Sequence, residues 1–149
     1  MAAGTTPIYV AAPRQSWSQV DGDGGAAGPL KTQNTALDGT GTVLTVFTAN
    51  ATNGSIVTHL TARPAGTNIA TVLRIFLNNG STNATLGNNS LIDEMTLNAT
   101  TASAVAALQP YVWTPPSGIL RLPASYKVMV TLGTTVAAGY VMTAFGGDF

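Results

Sequence analysis

The feature that most constrains the fold of this chain is a period of two in its apolar residues, which recurs from residue 42 onward. The clearest case is NIATVLRIFLN, residues 68–78, where one face would carry Ile69, Thr71, Leu73, Ile75 and Leu77. Apolar residues at every second position are typical of strands with one buried face. Seven more strand-like segments are bounded mainly by Gly, Pro or Asn turn signals, at 42–49, 55–63, 91–98, 109–114, 118–123, 126–133 and 138–145.

Eight short strands joined by turns predict an all-β, antiparallel β-sandwich. An eight-stranded jelly roll is the first choice and a plain Greek-key sandwich the second, because the sequence leaves the connectivity open. In the segment 55–63, strict alternation predicts one face with Ile56, Thr58, Leu60 and Ala62, and the other with Val57, His59, Thr61 and Arg63. Only TTASAVAALQ, residues 100–109, is a candidate for a short helix.

Residues 1–41 differ from the rest and predict an extended N-terminal arm, which leaves 42–149 as the β-sandwich domain. The arm holds three of the eight prolines, the glycine-rich DGDGGAAG at 21–28 and no sustained period. Large apolar side chains in such an arm need a surface to cover them, either their own sandwich or a neighbouring molecule. The candidate partner contacts are Ile8, Tyr9, Val10, Arg14 and Trp17.

The charge content limits the classes of partner. Charged residues make up 8% of the chain, six basic against six acidic, where about 25% is typical of globular domains. We expect no nucleic-acid partner, since binding to phosphates needs a basic patch. We also expect no membrane partner, because no run approaches the roughly 18 apolar residues of a bilayer span. The first residues lack the pattern of a cleaved signal, which predicts synthesis in the cytoplasm without export.

Few residues are candidates for catalysis, and we expect no enzyme and no cofactor. His59 is the single histidine and there is no cysteine. A catalytic triad would therefore depend on His59, and one histidine is too few for a His/Cys zinc site. Asp93 and Glu94 are adjacent on a predicted strand and point to opposite faces, so they are not a glycosidase pair. One of them is expected to face solvent and the other to pair with an arginine such as Arg74.

Two loop motifs have simpler explanations than ligand binding. DGDGG at 21–25 begins like a calcium loop, but Gly25 and Thr32 stand where the EF-hand pattern needs ligands, so a hinge is the better interpretation. The segment FLNNGSTNATLGNNSLI, residues 76–92, contains three Asn-x-Ser/Thr sequons, at Asn79, Asn83 and Asn88. We interpret these asparagines as turn formers at a hairpin tip, since Asn tolerates left-handed backbone and hydrogen-bonds to nearby main chain.

Three stretches resemble a known group of proteins. They are ATVLRIFLNNGS at 70–81, LIDEMTLNATTAS at 91–103 and LPASYKVMVTLGTTVAAGYVMTAFGGDF at 122–149. They are similar to small virion proteins of tailed bacteriophages, some of which are capsid decoration (cement) proteins. The resemblance implies a β-sandwich or jelly roll on the capsid surface, commonly a homotrimer, which binds the major capsid protein and stabilises the assembled shell.

The sequence therefore favours a non-enzymatic virion structural protein, with the capsid decoration role as the leading hypothesis. A tail, baseplate or fibre component of the same virion is an alternative. A carbohydrate-binding β-sandwich module is another, from a different class of function.

Overall fold

The computed structural model describes residues 12–17 and 28–149, and every structural statement below refers to them. They form nine strands and one short 3₁₀ turn, Leu86–Asn88. The strands are β1 (Ala12–Trp17), β2 (Leu44–Thr48), β3 (Ser55–Pro64), β4 (Thr71–Asn78), β5 (Asn89–Leu97), β6 (Tyr111–Trp113), β7 (Leu120–Leu122), β8 (Lys127–Leu132) and β9 (Tyr140–Asp148).

The strands pair into two sheets, and every pair is antiparallel. Sheet A has the order β1-β9-β3-β6, with β7 pairing the first residues of β3 beyond the reach of β6. Sheet B has the order β2-β8-β4-β5. This confirms the predicted all-β, antiparallel class. The eight predicted segments correspond to β2 through β9, and β1 is a ninth strand within the predicted arm.

The hydrophobic core lies between the two sheets. Sheet B contributes Val46, Leu73, Ile75, Val128 and Val130, and sheet A contributes Val57, Leu60, Met142 and Ala144; each has no more than 1% of its surface exposed. Removing a Val, Leu or Ile side chain from water stabilises the fold by about 1.5–3 kcal/mol. Two apolar sheet faces that meet in one cluster are the arrangement of a β-sandwich.

The two open sides of this sandwich are closed by polar contacts between edge strands. On one side, the Arg14 guanidinium of β1 donates to the Thr48 carbonyl at 3.0 Å and to the Asp148 carboxylate at 3.1 Å. It also lies 4.9 Å from the ring centre of Phe47. On the other side, the Trp113 indole N–H donates to Asp93 Oδ2 at 2.7 Å. Sheet A is thus tied to sheet B along both margins.

The strict alternation predicted for residues 55–63 is wrong at one point. The pairing of β3 with β9 shifts between Val57 and His59, so Thr58 is an extra residue in β3. A bulge of this kind moves the following side chains to the other face. Val57 is therefore fully buried together with Leu60 and Ala62, whereas Ile56 and Thr58 are only half-buried.

Two other local predictions are also corrected. Ile69 was expected in the buried face of the third predicted strand, but it precedes β4 and its side chain is 58% exposed. Residues 100–109 form no helix, and residues 101–107 are all exposed.

By contrast, the predicted pairing of Arg74 with one of the two adjacent acids is confirmed, since Arg74 Nε lies 2.9 Å from Glu94 Oε1. No helix in the described part of the chain has the length and apolar character to cross a bilayer.

The buried phenol of Tyr140 makes the stability of the core sensitive to alkaline pH. Tyr140 is fully buried, and among the described residues its hydroxyl has no hydrogen-bond partner. Burial, and to a lesser degree the charge of Tyr111, raises the pKa of Tyr140 above the ordinary 10.0. The contribution of the neutral Tyr140 side chain to the free energy of unfolding is therefore complete below pH 10.0. It is lost as the pH rises through the folded-state pKa, because the unfolded chain ionises first.

We predict that Tyr140→Phe leaves the free energy of unfolding at neutral pH unchanged or slightly raised, since the hydroxyl it removes is unpaired. Above the pKa of a free tyrosine, about pH 10, the variant should lose less stability than the parent protein. Urea unfolding at neutral and alkaline pH measures both effects. Tyr126→Phe, at a partly exposed tyrosine, is the control; an alkaline decline in Tyr140→Phe as steep as the parent's would contradict the prediction.

A second prediction tests the bulge in β3. Val57→Ala removes two buried methyl groups and should lower the free energy of unfolding by about 2–3 kcal/mol. Ile56→Ala, one residue away on the half-buried face, should cost below about 1 kcal/mol. Chemical denaturation compares the two variants directly. A larger loss of stability in Ile56→Ala than in Val57→Ala would contradict the bulge and support a strictly alternating strand.

Candidate functional site

Three loops meet at one end of the sandwich and form a surface without charged residues. They are residues 65–70 between β3 and β4, residues 98–110 between β5 and β6, and residues 133–139 between β8 and β9. We call these three segments the neutral loop end. An isolated antiparallel bridge between Asn68 and Thr100 joins the first two, with N···O distances of 3.1 and 2.9 Å.

Asn68 holds the third loop as well. Its side chain is buried, with 3% of its surface exposed, and its amide nitrogen donates to the Gly139 carbonyl at 3.0 Å. Its carbonyl oxygen accepts hydrogen bonds from the backbone N–H groups of Ala138 and Gly139, at 2.9 and 2.8 Å. One side chain thus supplies partners for main-chain groups that no strand reaches, as buried backbone requires.

Threonine side chains add further links between these loops. Thr100 Oγ1 donates to the Gly66 carbonyl at 2.8 Å, and Thr67 Oγ1 accepts from the Ala102 N–H at 3.0 Å. At the start of β4, Thr71 Oγ1 accepts from the Thr134 N–H at 3.0 Å. The loops are therefore held in one arrangement by hydrogen bonds to main chain.

Gly139 is required where the neutral loop end meets the segment that precedes β2. Its φ of +83° lies in the left-handed region, and a Cβ there would stand 2.7 Å from the Leu30 carbonyl oxygen. Leu30 pairs with Tyr140 at this point, with N···O distances of 2.9 and 3.0 Å. The close approach fixes residues 28–31 beside the neutral loop end.

The neutral loop end contains no charged residue. Its three segments read AGTNIA, NATTASAVAALQP and GTTVAAG. Val105 is 97% exposed and Ile69 is 58% exposed, and residues 101–107 are all exposed. A surface of this kind suits contact with another protein, since its small side chains permit close approach and no charge must be desolvated.

The residues predicted to contact partners lie elsewhere. Ile8, Tyr9 and Val10 fall outside the described residues, and the structure describes only the backbone of Trp17, opposite Thr143 in β9. Arg14 binds within its own chain. The division into an arm of 1–41 and a domain of 42–149 stays a prediction. Within the predicted arm, β1 is a strand of sheet A, and the segment 28–34 is hydrogen-bonded to β8 and β9.

The residues weighed for chemistry do not form a catalytic arrangement in the described chain. His59 stacks on Phe145 with ring centres 4.3 Å apart, and its Nδ1 lies 3.1 Å from Thr58 Oγ1. Among the described residues, no three His, Cys, Asp or Glu side chains converge on one point. The DGDGG motif at 21–25 lies outside the described residues.

Comparison of the chain with family models, with curated proteins and with solved structures finds no match.

Sequence reasoning missed Asn68, the residue that organises the neutral loop end. The sequence placed it at the first position of a predicted strand, where an asparagine is ordinary. The preceding PAGT is a turn signal, and an asparagine after a turn is a candidate for main-chain hydrogen bonds. Its partners lie 32 and 71 positions away, near Thr100 and Gly139, so the sequence gives no way to pair them.

We predict that Asn68→Ala lowers the free energy of unfolding by about 2–4 kcal/mol, because it leaves the N–H groups of Ala138 and Gly139 without the acceptor that Asn68 provides. Hydrogen exchange should show lost protection at Ala138 and Gly139. Asn98→Ala, at an exposed asparagine of the same end, is the matched control and should cost below about 0.5 kcal/mol. An equal loss of unfolding free energy in the two variants would contradict the organising role of Asn68.

Proposed function

We propose that this protein is a non-enzymatic structural component of a tailed-bacteriophage virion, a decoration protein that binds the assembled major capsid protein and stabilises the shell. The neutral loop end is the observation that carries the proposal. A surface of small, uncharged, well-anchored loops is suited to lie against another protein, and it offers no set of groups for catalysis.

The fold that we propose within the sandwich class is a jelly roll. The strands pair in a nested way: β1 with β9, β2 with β8, β3 with β6 and β7, and β4 with β5. Eight strand positions result, since β6 and β7 share one neighbour, and nested pairing across two sheets is how a jelly roll is built. The topology thus supports the jelly roll implied by the three stretches that resemble phage virion proteins. Those stretches together span much of β4, β5, β8 and β9.

The low charge of the chain supports binding to a repetitive lattice. Six basic and six acidic residues in 149 leave little net field between neighbouring copies. A decoration protein that makes many weak contacts on one particle binds with a higher overall affinity, because forming the first contact raises the effective concentration for the next. A homotrimer would present three such surfaces at once.

We predict that Val105→Glu weakens binding to capsids of the same virion by at least about tenfold, because a charge would be buried in a neutral contact without a partner. Co-sedimentation of the purified protein with preassembled capsids measures the effect. Val105 is almost fully exposed, so the variant should unfold at the same urea concentration as the parent.

The matched control is Ala51→Glu in the 49–54 turn, at the opposite end of the sandwich, which should bind as the parent does. If both variants bind like the parent, the neutral loop end is not the contact surface. If the parent protein does not co-sediment with capsids and labelled antibody places it on the tail, the tail or baseplate alternative replaces the decoration role.

A further inference from the structure

A short loop that precedes β2 presents a large apolar side chain and a carboxylate side by side. Leu37 is 61% exposed, and Asp38 next to it is exposed as well. We call residues 36–40 the acidic knob. The knob lies against the start of β5 in sheet B, because a Cβ at Gly39 would stand 2.8 Å from the Cβ of Asn89.

The acidic knob is held in one conformation by asparagine side chains on two sides. The Asn34 amide nitrogen donates to the Thr40 carbonyl at 2.7 Å, and the Asn34 carbonyl accepts from the Ala36 N–H at 2.9 Å. From the tip between β4 and β5, the Asn83 amide nitrogen donates to the Gly39 carbonyl at 3.2 Å. An exposed loop that is anchored in this way loses little conformational entropy when a partner covers it.

The Asp38 carboxylate has a fixed direction but no cationic partner in the described part of the chain. Its Oδ1 accepts hydrogen bonds from the Thr40 hydroxyl at 2.6 Å and from the Thr40 N–H at 2.9 Å. These bonds lower the pKa of Asp38 below the ordinary 3.8, so the group is ionised at neutral pH. The acidic knob therefore presents a leucine and an oriented negative charge on one rigid loop.

The outer face of sheet A has the complementary chemistry. Ala62 of β3 is buried in the core, so Thr61 and Arg63 on either side of it point outward. Thr61 pairs with Val112 of β6, whose side chain is 54% exposed. Arg63 is therefore the diagonal neighbour of Val112, at a spacing of about 7–8 Å that a long side chain can bridge. We call Thr61, Arg63 and Val112 the arginine patch.

Arg63 is an exposed cation without an acidic partner. Its guanidinium forms no hydrogen bond or ion pair with any described residue. The outward residues around it on β3 and β9 include no acid; they are His59, Thr61, Val141, Thr143 and Phe145. Exposed aliphatic side chains beside an arginine, without acids, are the composition typical of the centre of a protein–protein contact.

We infer that the acidic knob of one copy binds the arginine patch of a second copy of this chain. Leu37 packs on Val112 and Asp38 pairs with Arg63, so the contact combines an apolar pair with a charged hydrogen bond. The knob lies on sheet B and the patch on sheet A, so each copy in a pair still has one of them free. A heterologous contact of this kind joins copies head to tail, into a closed ring where the rotation permits and into a chain otherwise.

Sedimentation velocity of the full-length protein tests the inference, and it needs no capsid. The weight-average mass should rise with protein concentration, with a dissociation constant of about 100 μM or below. Arg63→Asp should weaken this association at least about tenfold, because it places two carboxylates opposite each other, and Asp38→Arg should do the same with two cations. The double variant with both reversals should associate within about threefold of the parent protein, because the pair is restored in the opposite sense.

Two further variants complete the design. Arg121→Asp is the matched control, since Arg121 is an exposed arginine near the other end of β3 with its guanidinium 5.8 Å from the ring centre of Phe149; it should associate as the parent does. Asp38→Asn keeps an acceptor for Thr40 and removes only the charge, so it should weaken the association about threefold. All these side chains are exposed, and the variants should unfold at the urea concentration of the parent.

Three results would overturn the inference. The first is a parent protein that stays monomeric up to about 0.5 mM. The second is an association that Arg63→Asp leaves unchanged, which would place the contact between copies elsewhere. The third is a double reversal that associates no better than either single reversal, since the two charges would then not face each other.

Discussion

Burial of the inner face of sheet B against the inner face of sheet A, through residues such as Val130, Leu73 and Leu60, is the interaction on which the rest of the structure depends. Without it neither sheet has a partner for its apolar side chains, and a sheet with one bare apolar face is not stable in water. Almost every connection then has to cross from one sheet to the other, because the nested pairing of strands leaves few neighbours adjacent in sequence. The crossing loops gather at the two ends of the sandwich.

Those crossing loops create a second requirement, which is met mostly by asparagine. Loop backbone that lies against the sandwich loses contact with water, and its N–H and C=O groups need other partners. Asn68 supplies them at the neutral loop end, and Asn34 and Asn83 supply them on the outer face of sheet B. An asparagine side chain both donates and accepts without a charge, so the loops are anchored while the surface stays neutral.

Two pairs of opposite charges join neighbouring strands. Arg14 joins β1 to β9 through Asp148 and to the edge of sheet B through the Thr48 carbonyl, and Arg74 with Glu94 lies across β4 and β5 on the outer face of sheet B. These pairs are partly exposed, so each adds little to stability by its charge alone. Their value is geometric, since they fix strand edges, and the three segments of the neutral loop end contain no charged residue.

The sequence by itself determined the strand content and the antiparallel sandwich class, because a period of two between turn signals is a local property that needs no knowledge of distant residues. It also determined that the asparagines of residues 78–89 shape a hairpin tip. Tertiary structure alone decided which face of β3 is buried, since the bulge at Thr58 exists only in pairing with β9. It also decided that Asn68 joins three loops and that the Asn83 side chain donates to the Gly41 carbonyl. These contacts join residues far apart in the chain, and the residue types alone do not indicate which partners they bind.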